Sequence, residues 1–369
     1  MDFVEELIGG EVAPPPPLAP PPLRADKVLG MLLGVALGDA LGAPHERSGK
    51  RWAPQFTGRL EHPVTQFRRF QGRQFCGVVG QVTDDTEMTI ALARSILAES
   101  GAELDAAPGA APGAAPVAAL VAKYSPERAA AHYMEWANSR CPFLGTNTRE
   151  LFVGVKTQKG FRARLAGKRA APRWEWSQSN GCLMRAAPLA VLQEGWARAV
   201  TADCSLSNFH PTCVDATVAY VGALRALLAG ASPAEAAQAA AALAKEDDVA
   251  QVLEGARLGA ARDVTEQKGW VLHALHCAFF ALAMPPRVSF RERVEAVVRL
   301  GGDTDTNAAV AAGLVGASYG AAAMRADDVV DVNLDIVLDC DPDAGEFPRP
   351  AGYRAARIPG IARALSGLL

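Results

Sequence analysis

The chain has 369 residues, half of them hydrophobic, with a formal net charge of -3 and a sequence pI near 6.1. That balance gives no electrostatic case for nucleic acid, and an α-rich chain of this length can bury one core. Apolar runs such as Ala274 to Met284 read as too short for a bilayer, and acidic first residues followed by prolines are not a secretory signal, so the expected location is the cytoplasm.

Residues 1–26 stand apart as a proline-rich arm. They read either as a polyproline II segment or as a disordered tail, and residues 27–369 are expected to form a single domain. Arg47 to Val82, with β-like runs at Val64 to Phe70 and Phe75 to Val82, predicts a loop or small hairpin. After Asp84 the apolar positions Met88, Ala91, Leu92 and Ile96 fall at helical spacing, and Asp84 with Glu87 has the form of a capping box. Asp105 to Pro116 is a low-complexity surface loop.

Further helices are expected over Ala129 to Asn138, Met184 to Glu194, Val214 to Leu228, Pro233 to Ala244 and Val249 to Ala260. Three more follow over Gly269 to Leu282, Phe290 to Leu300 and Thr306 to Tyr319. Basic residues from Lys156 to Arg173 read either as attraction for a diphosphate or as a solvated loop, and Asp327 to Asp343 as a solvated surface. Seven cysteines without a CxxC pair look reduced and mostly buried. His273 and His276 lack zinc-site spacing, and no dinucleotide, Walker or HExxH motif is present.

Chemistry concentrates in Thr83-Asp84-Asp85-Thr86-Glu87 and Gly301-Gly302-Asp303-Thr304-Asp305-Thr306, each at a helix start. Asp and Thr are good N-caps, yet a cap needs one such residue and each cluster has an excess. If the two meet, four carboxylates would repel in a low-dielectric cleft unless cations were present. Hard oxygen donors suit Mg²⁺, Mn²⁺ or Ca²⁺.

Those clusters, with Gly34-Val35-Ala36-Leu37-Gly38-Asp39-Ala40-Leu41-Gly42-Ala43-Pro44-His45-Glu46, Ser179-Asn180-Gly181-Cys182-Leu183-Met184-Arg185-Ala186-Ala187-Pro188 and Asn208-Phe209-His210-Pro211, resemble the ADP-ribosylglycohydrolase family over about residues 27 to 358. The resemblance implies an all-α, compact multi-helix bundle with a central dimetal cleft. It implies two divalent cations, Mg²⁺ or Mn²⁺, held by Thr83, Asp84, Asp85, Asp303, Asp305 and Thr306, with Glu46 nearby. Glu46, Asp84 and Asp303 are the expected catalytic groups. Asp39 matches the motif as a supporting residue or a cap. Ser179, Asn180, Gly181 and Met184 are expected at ADP-ribose, with His210 at a ribose or phosphate. Phe143, Trp174 or Trp176 would offer adenine an aromatic face.

The implied activity is metal-dependent hydrolysis that removes ADP-ribose from mono-ADP-ribosylated protein side chains, arginine-linked in the first instance, with serine as the alternative linkage. Two other readings stand beside it. One is an immunity or antitoxin protein that reverses or blocks a toxin's ADP-ribosylation, with the arm as a toxin contact. The other is a catalytically silent binding or structural family member. Expected partners are the ADP-ribosylated substrate and the ADP-ribose product, with no membrane.

Overall fold

The structure, a computed structural model, describes residues 25–46, 56–68, 73–102, 121–171 and 177–368. The proline-rich arm up to residue 24, the Asp105 to Pro116 loop, Arg173, Trp174 and Trp176 lie outside these residues. The described elements are α1 (Ala25–Gly42), the hairpin β1 (Thr65–Arg68) and β2 (Arg73–Cys76), α2 (Asp84–Glu99), α3 (Pro126–Ala137), α4 (Thr146–Phe152) and α5 (Gln158–Arg169). They continue with α6 (Trp196–Ser205), α7 (Pro211–Leu228), α8 (Pro233–Leu243), α9 (Asp247–Arg257) and α10 (Val271–Ala283). The last are α11 (Phe290–Leu300), α12 (Thr304–Tyr319), α13 (Ala321–Arg325), α14 (Asp328–Leu338) and α15 (Ile358–Ser366). The fold is an all-α bundle, with one short hairpin where the sequence suggested it.

The centre of the bundle is the antiparallel pair α1 and α12. Gly30, Gly34, Gly38 and Gly42 recur every four residues, so they line one stripe of α1. A Cβ on Gly34 would lie 2.1 Å from the Ala312 carbonyl oxygen, and one on Gly42 would lie 2.2 Å from that of Thr304. The two backbones therefore touch, and any side chain on the stripe would push them apart. The pairing ends at the functional end of the molecule, where the Thr304 hydroxyl donates to the Gly42 carbonyl over 2.8 Å. By length and composition α1 is apolar enough to cross a membrane, against the reading of short apolar runs only, but 83% of that window is buried inside the protein. Helices α2, α12, α13, α14 and α15 all pack against it.

Several elements differ from expectation. Met184 to Glu194 is not a helix: 3₁₀ turns occupy Asn180–Cys182 and Ala187–Val191, and Pro188 sits at the start of the second. Proline removes a donor and disfavours helix at the residue before it, which breaks the run. Asp84 and Glu87 do not form a capping box, since Thr83 is the N-cap and makes no side-chain cap bond. The acidic stretch does present a solvated surface, with Asp328, Asp335, Asp339, Asp341 and Asp343 exposed, and most of it is helix α14, capped by Asp327. Arg325 bridges Asp331 and Asp335, Arg291 pairs with Asp327, and Arg354 pairs with Asp341 and Asp343.

Candidate active site

Helix α2 receives its N-terminal cap from elsewhere in the fold. Asp39, fully buried on α1 one turn before Gly42, accepts from the Thr83 N–H (2.9 Å) and hydroxyl (2.8 Å) and from the Thr86 N–H (3.1 Å) and hydroxyl (2.6 Å). Four donors favour its charged form, yet burial outweighs them and pushes its carboxyl up to about 6. Asp39 thus caps α2 and holds Thr83 by both its N–H and its hydroxyl. Asp84 and Asp85 are thereby released from capping duty.

The two acidic clusters come together. Asp84 is held well above the ordinary carboxylate range by burial first, then by Asp39, Asp303 and Glu46. Asp85, raised by burial and by Asp39, Asp84 and Asp303, takes a 3.3 Å hydrogen bond from the Thr83 hydroxyl at Oδ2, while its buried Oδ1 has no partner. Asp305 is pushed up by burial, then by Glu46, Asp303, Asp85 and Asp39. The charges acting most strongly on these three are all carboxylates, supplied by α1, the turn after it, and the starts of α2 and α12.

Around them, Gly301 and Gly302 both adopt φ +80° and turn the chain from α11 into α12. Only glycine fits at 302, where a Cβ would lie 2.2 Å from the Val264 carbonyl oxygen. Asp303 follows as the N-cap of α12 without a side-chain cap bond, and its Oδ2 accepts instead from Asn180 Nδ2 at 2.7 Å. Thr306 is buried, its N–H donating to Asp305 Oδ1 over 2.9 Å. Half-buried Glu46 ends the 3₁₀ turn Ala43–His45, and Lys268 Nζ donates to its carbonyl over 3.2 Å.

Among the described residues no three His, Cys, Asp or Glu side chains form a ready-made metal cage. The donors nevertheless fit a hard divalent cation, because a buried carboxylate oxygen lacks a partner and the neighbouring charges share one sign.

The Ser179-Asn180-Gly181 turn lies beside this group. The Asn180 N–H donates to the Gly269 carbonyl (2.8 Å), and Ser179 bridges to Trp270. A cavity of about 410 Å³ opens between Ser177, Gln178 and Ser179 on one side and Gln267, Lys268, Gly269 and Trp270 on the other. Gly269 borders the carboxylates, since a Cβ there would lie 3.4 Å from Asp303 Oδ2. A larger cavity, about 610 Å³ beside Arg140, Phe347 and Arg354, contains none of the expected site residues.

Not every expected residue lines the cleft. Met184 is buried in the core, and its carbonyl accepts from the Thr89 hydroxyl. His210 is the N-cap of α7, its Nδ1 accepting from the Thr212 N–H, with Nε2 3.3 Å from Gln178 Nε2. Phe143 packs edge-on against Phe347. Trp270 was missed as a candidate: its indole N–H donates to Gln178 Oε1 (2.8 Å), and the Arg262 guanidinium lies over its ring at 5.0 Å. No local pattern marks it; its place follows from the strand-like bridge to Ser179. The basic segment is largely tied down, with Arg162 on Glu127, Lys168 on Glu150 and Arg164 on main-chain carbonyls.

A family model described as ADP-ribosylglycohydrolase matches residues 20–334. ADP-ribosyl-[dinitrogen reductase] glycohydrolase of Rhodospirillum rubrum is 27% identical over 304 residues, covering 80% of this chain and 86% of that protein. ADP-ribosylarginine hydrolase Tri1 of Serratia proteamaculans (strain 568) is 24% identical over 314 residues (83% and 75%), and Tri1 of Pseudomonas putida (strain GB-1) is 27% identical over 315 (82% and 73%). A solved structure titled "ADP-ribosylglycohydrolase-related protein complex" superposes with a TM-score of 0.59 at 23% identity, covering 84% of this chain and 96% of the other, a likeness of fold.

Proposed function

The chain belongs to the ADP-ribosylglycohydrolase family, and from that membership and its site we propose a hydrolase that uses two divalent cations, Mg²⁺ or Mn²⁺, to release ADP-ribose from arginine side chains of modified proteins. The observation that carries this reading is the group of carboxylates gathered at the starts of α2 and α12, raised chiefly by burial and by their acidic neighbours and bordered by a cavity of about 410 Å³. The arginine linkage is supported by the relatives named ADP-ribosylarginine hydrolase.

Thr83, Asp84, Asp85, Asp303, Asp305 and Thr306, with Glu46, would hold the cations. When bound, these supply charge neutralisation and Lewis acidity at the sugar. The chain's own groups do the rest. Asp39 locks Thr83 and the first turn of α2, so the donors on that turn are placed before substrate arrives. Asn180 fixes one oxygen of Asp303, leaving the other free for a cation or a proton. Glu46, whose charge acts on Asp84 and Asp305, would take a proton from the attacking water. The cavity walls at Gln178, Lys268 and Trp270 offer hydrogen-bond donors, a positive charge and an aromatic face to the remainder of ADP-ribose.

The test is ADP-ribose release from arginine-linked and serine-linked ADP-ribosylated protein, with Mg²⁺ or Mn²⁺ and with a chelator. Release from the arginine linkage that the chelator abolishes is the expected result. Release indifferent to the chelator would refute the metal assignment, and release from serine alone would refute the linkage. Asp84→Ala and Asp303→Ala are each expected to lower turnover about a hundredfold or more with the fold intact.

A further inference from the structure

The Ser179-Asn180-Gly181 turn is held on the backbone only by the short 3₁₀ turn Asn180–Cys182 and the bridge to Gly269 and Trp270, yet Asn180 must meet Asp303. The carbonyls on either side of Asn180 are both held from below. Arg185 Nη1 donates to the Gly181 carbonyl (2.9 Å), and Asn208 Nδ2 donates to the Ser179 carbonyl (3.0 Å) and hydroxyl (2.7 Å). The two supports are one network. Arg185 Nη1 also donates to the Ser207 hydroxyl (2.9 Å), which donates to Asn208 Oδ1 (2.7 Å) and so directs the Asn208 amide at Ser179.

Arg185 is fully buried and anchored. Its Nε donates to Asp203 Oδ2 (2.9 Å) and Nη2 to the Asp203 carbonyl (2.8 Å), while the Tyr133 hydroxyl donates to Asp203 Oδ1 (2.8 Å). The guanidinium stacks over the Tyr133 ring at 4.7 Å. A simple structural ion pair needs no contact with the turn; this one spends two of its donors there or on the residue that braces it. A lysine offers no planar fork and could not reproduce the set.

We propose that Arg185 is a positioning residue for the hydrolase site, holding the Ser179–Gly181 turn through Gly181 and through Ser207 and Asn208 so that Asn180 stays on Asp303. The proposal rests on the reading of Asp303 as part of the active site. It predicts that the effect on turnover travels through Asn180 and through nothing else.

The experiment is a double-variant cycle on the full chain, read by kcat and KM for ADP-ribose release and by hydrogen–deuterium exchange of residues 179–184. Asn208→Ala leaves the Arg185–Asp203 pair untouched and is expected to fold. It should lower kcat about tenfold or more with little change in KM and speed exchange of the turn alone. Arg185→Lys should repeat that pattern. In an Asn180→Ala background, Asn208→Ala should cost nothing further. Additive losses in the double variant, or a turn that exchanges as slowly in Asn208→Ala as in the parent, would overturn the proposal. A parent protein that releases no ADP-ribose would defeat the hydrolase reading, and the exchange data would still decide whether the network holds the turn.

Discussion

Asp85 and Glu87 sit two residues apart on α2 and are both buried, at 1% and 0% exposure, yet they live in opposite settings. Glu87 takes both oxygens to Arg349, at 2.7 and 2.8 Å, and accepts the Trp136 indole N–H at 2.7 Å. Asp85 meets only hydroxyls, a long 3.3 Å contact from Thr83 at Oδ2 and the side chain of Thr306, with further carboxylates around it. Arg185 and Asp203 repeat the Glu87 solution elsewhere in the core. The fold can therefore place an arginine against a buried acid, and it does so again at Glu295, which pairs with Arg291 and Arg299. At the junction of α2 and α12, no ion pair among the described residues engages Asp84, Asp85, Asp303 or Asp305, and the charges acting most strongly on Asp84, Asp85 and Asp305 are other carboxylates, which is the arrangement expected of groups that meet a cation from solution.

Breaking the paired region should cost the most stability. Arg349→Met strands Glu87 in the core and is expected to lower unfolding free energy by about 3–5 kcal/mol in urea titration, with Glu87→Leu in the same chain restoring much of it. A loss below about 1 kcal/mol would mean the pair contributes little. The unpaired region should behave inversely. Asp85→Asn is expected to lower turnover about a hundredfold, about 2.7 kcal/mol in barrier, while the chelated protein gains about 1 kcal/mol of stability; destabilisation instead would show that Asp85 is compensated after all. Asp39 lies between the extremes, buried but with four donors. Asp39→Asn should cost about 1 kcal/mol through a weakened cap on α2, and a rise in melting temperature would move Asp39 to the unpaired side.

The motifs were legible because their chemistry is local: an excess of Asp and Thr at a helix start needs explaining whatever surrounds it. Much of the scaffold was not. Helix α1 is buried on all sides and glycine-rich, so it carries no amphipathic period, and only its pairing with α12 shows why the glycines are needed. Helix α6 starts after Gly195 at φ +62° without a side-chain cap, and the reading placed a helix before it, across Pro188. Asp39 and Thr83 are 44 residues apart, and Arg349 and Glu87 are 262 apart. Nothing in the local pattern at either end announces those partners. His210, picked out only by a family-like motif, also caps α7 through Nδ1 while its Nε2 lies 3.3 Å from Gln178 on the cavity wall, a structural duty that the motif does not announce.

The most direct test of the account is the thermal unfolding midpoint of the chelated protein with and without Mn²⁺, for the parent and for Asp305→Asn. The account predicts a marked rise for the parent, corresponding to about 3–4 kcal/mol at hundredfold to thousandfold excess over the dissociation constant, and little or none for the variant. An unchanged parent midpoint, or an equal rise in both proteins, would contradict it.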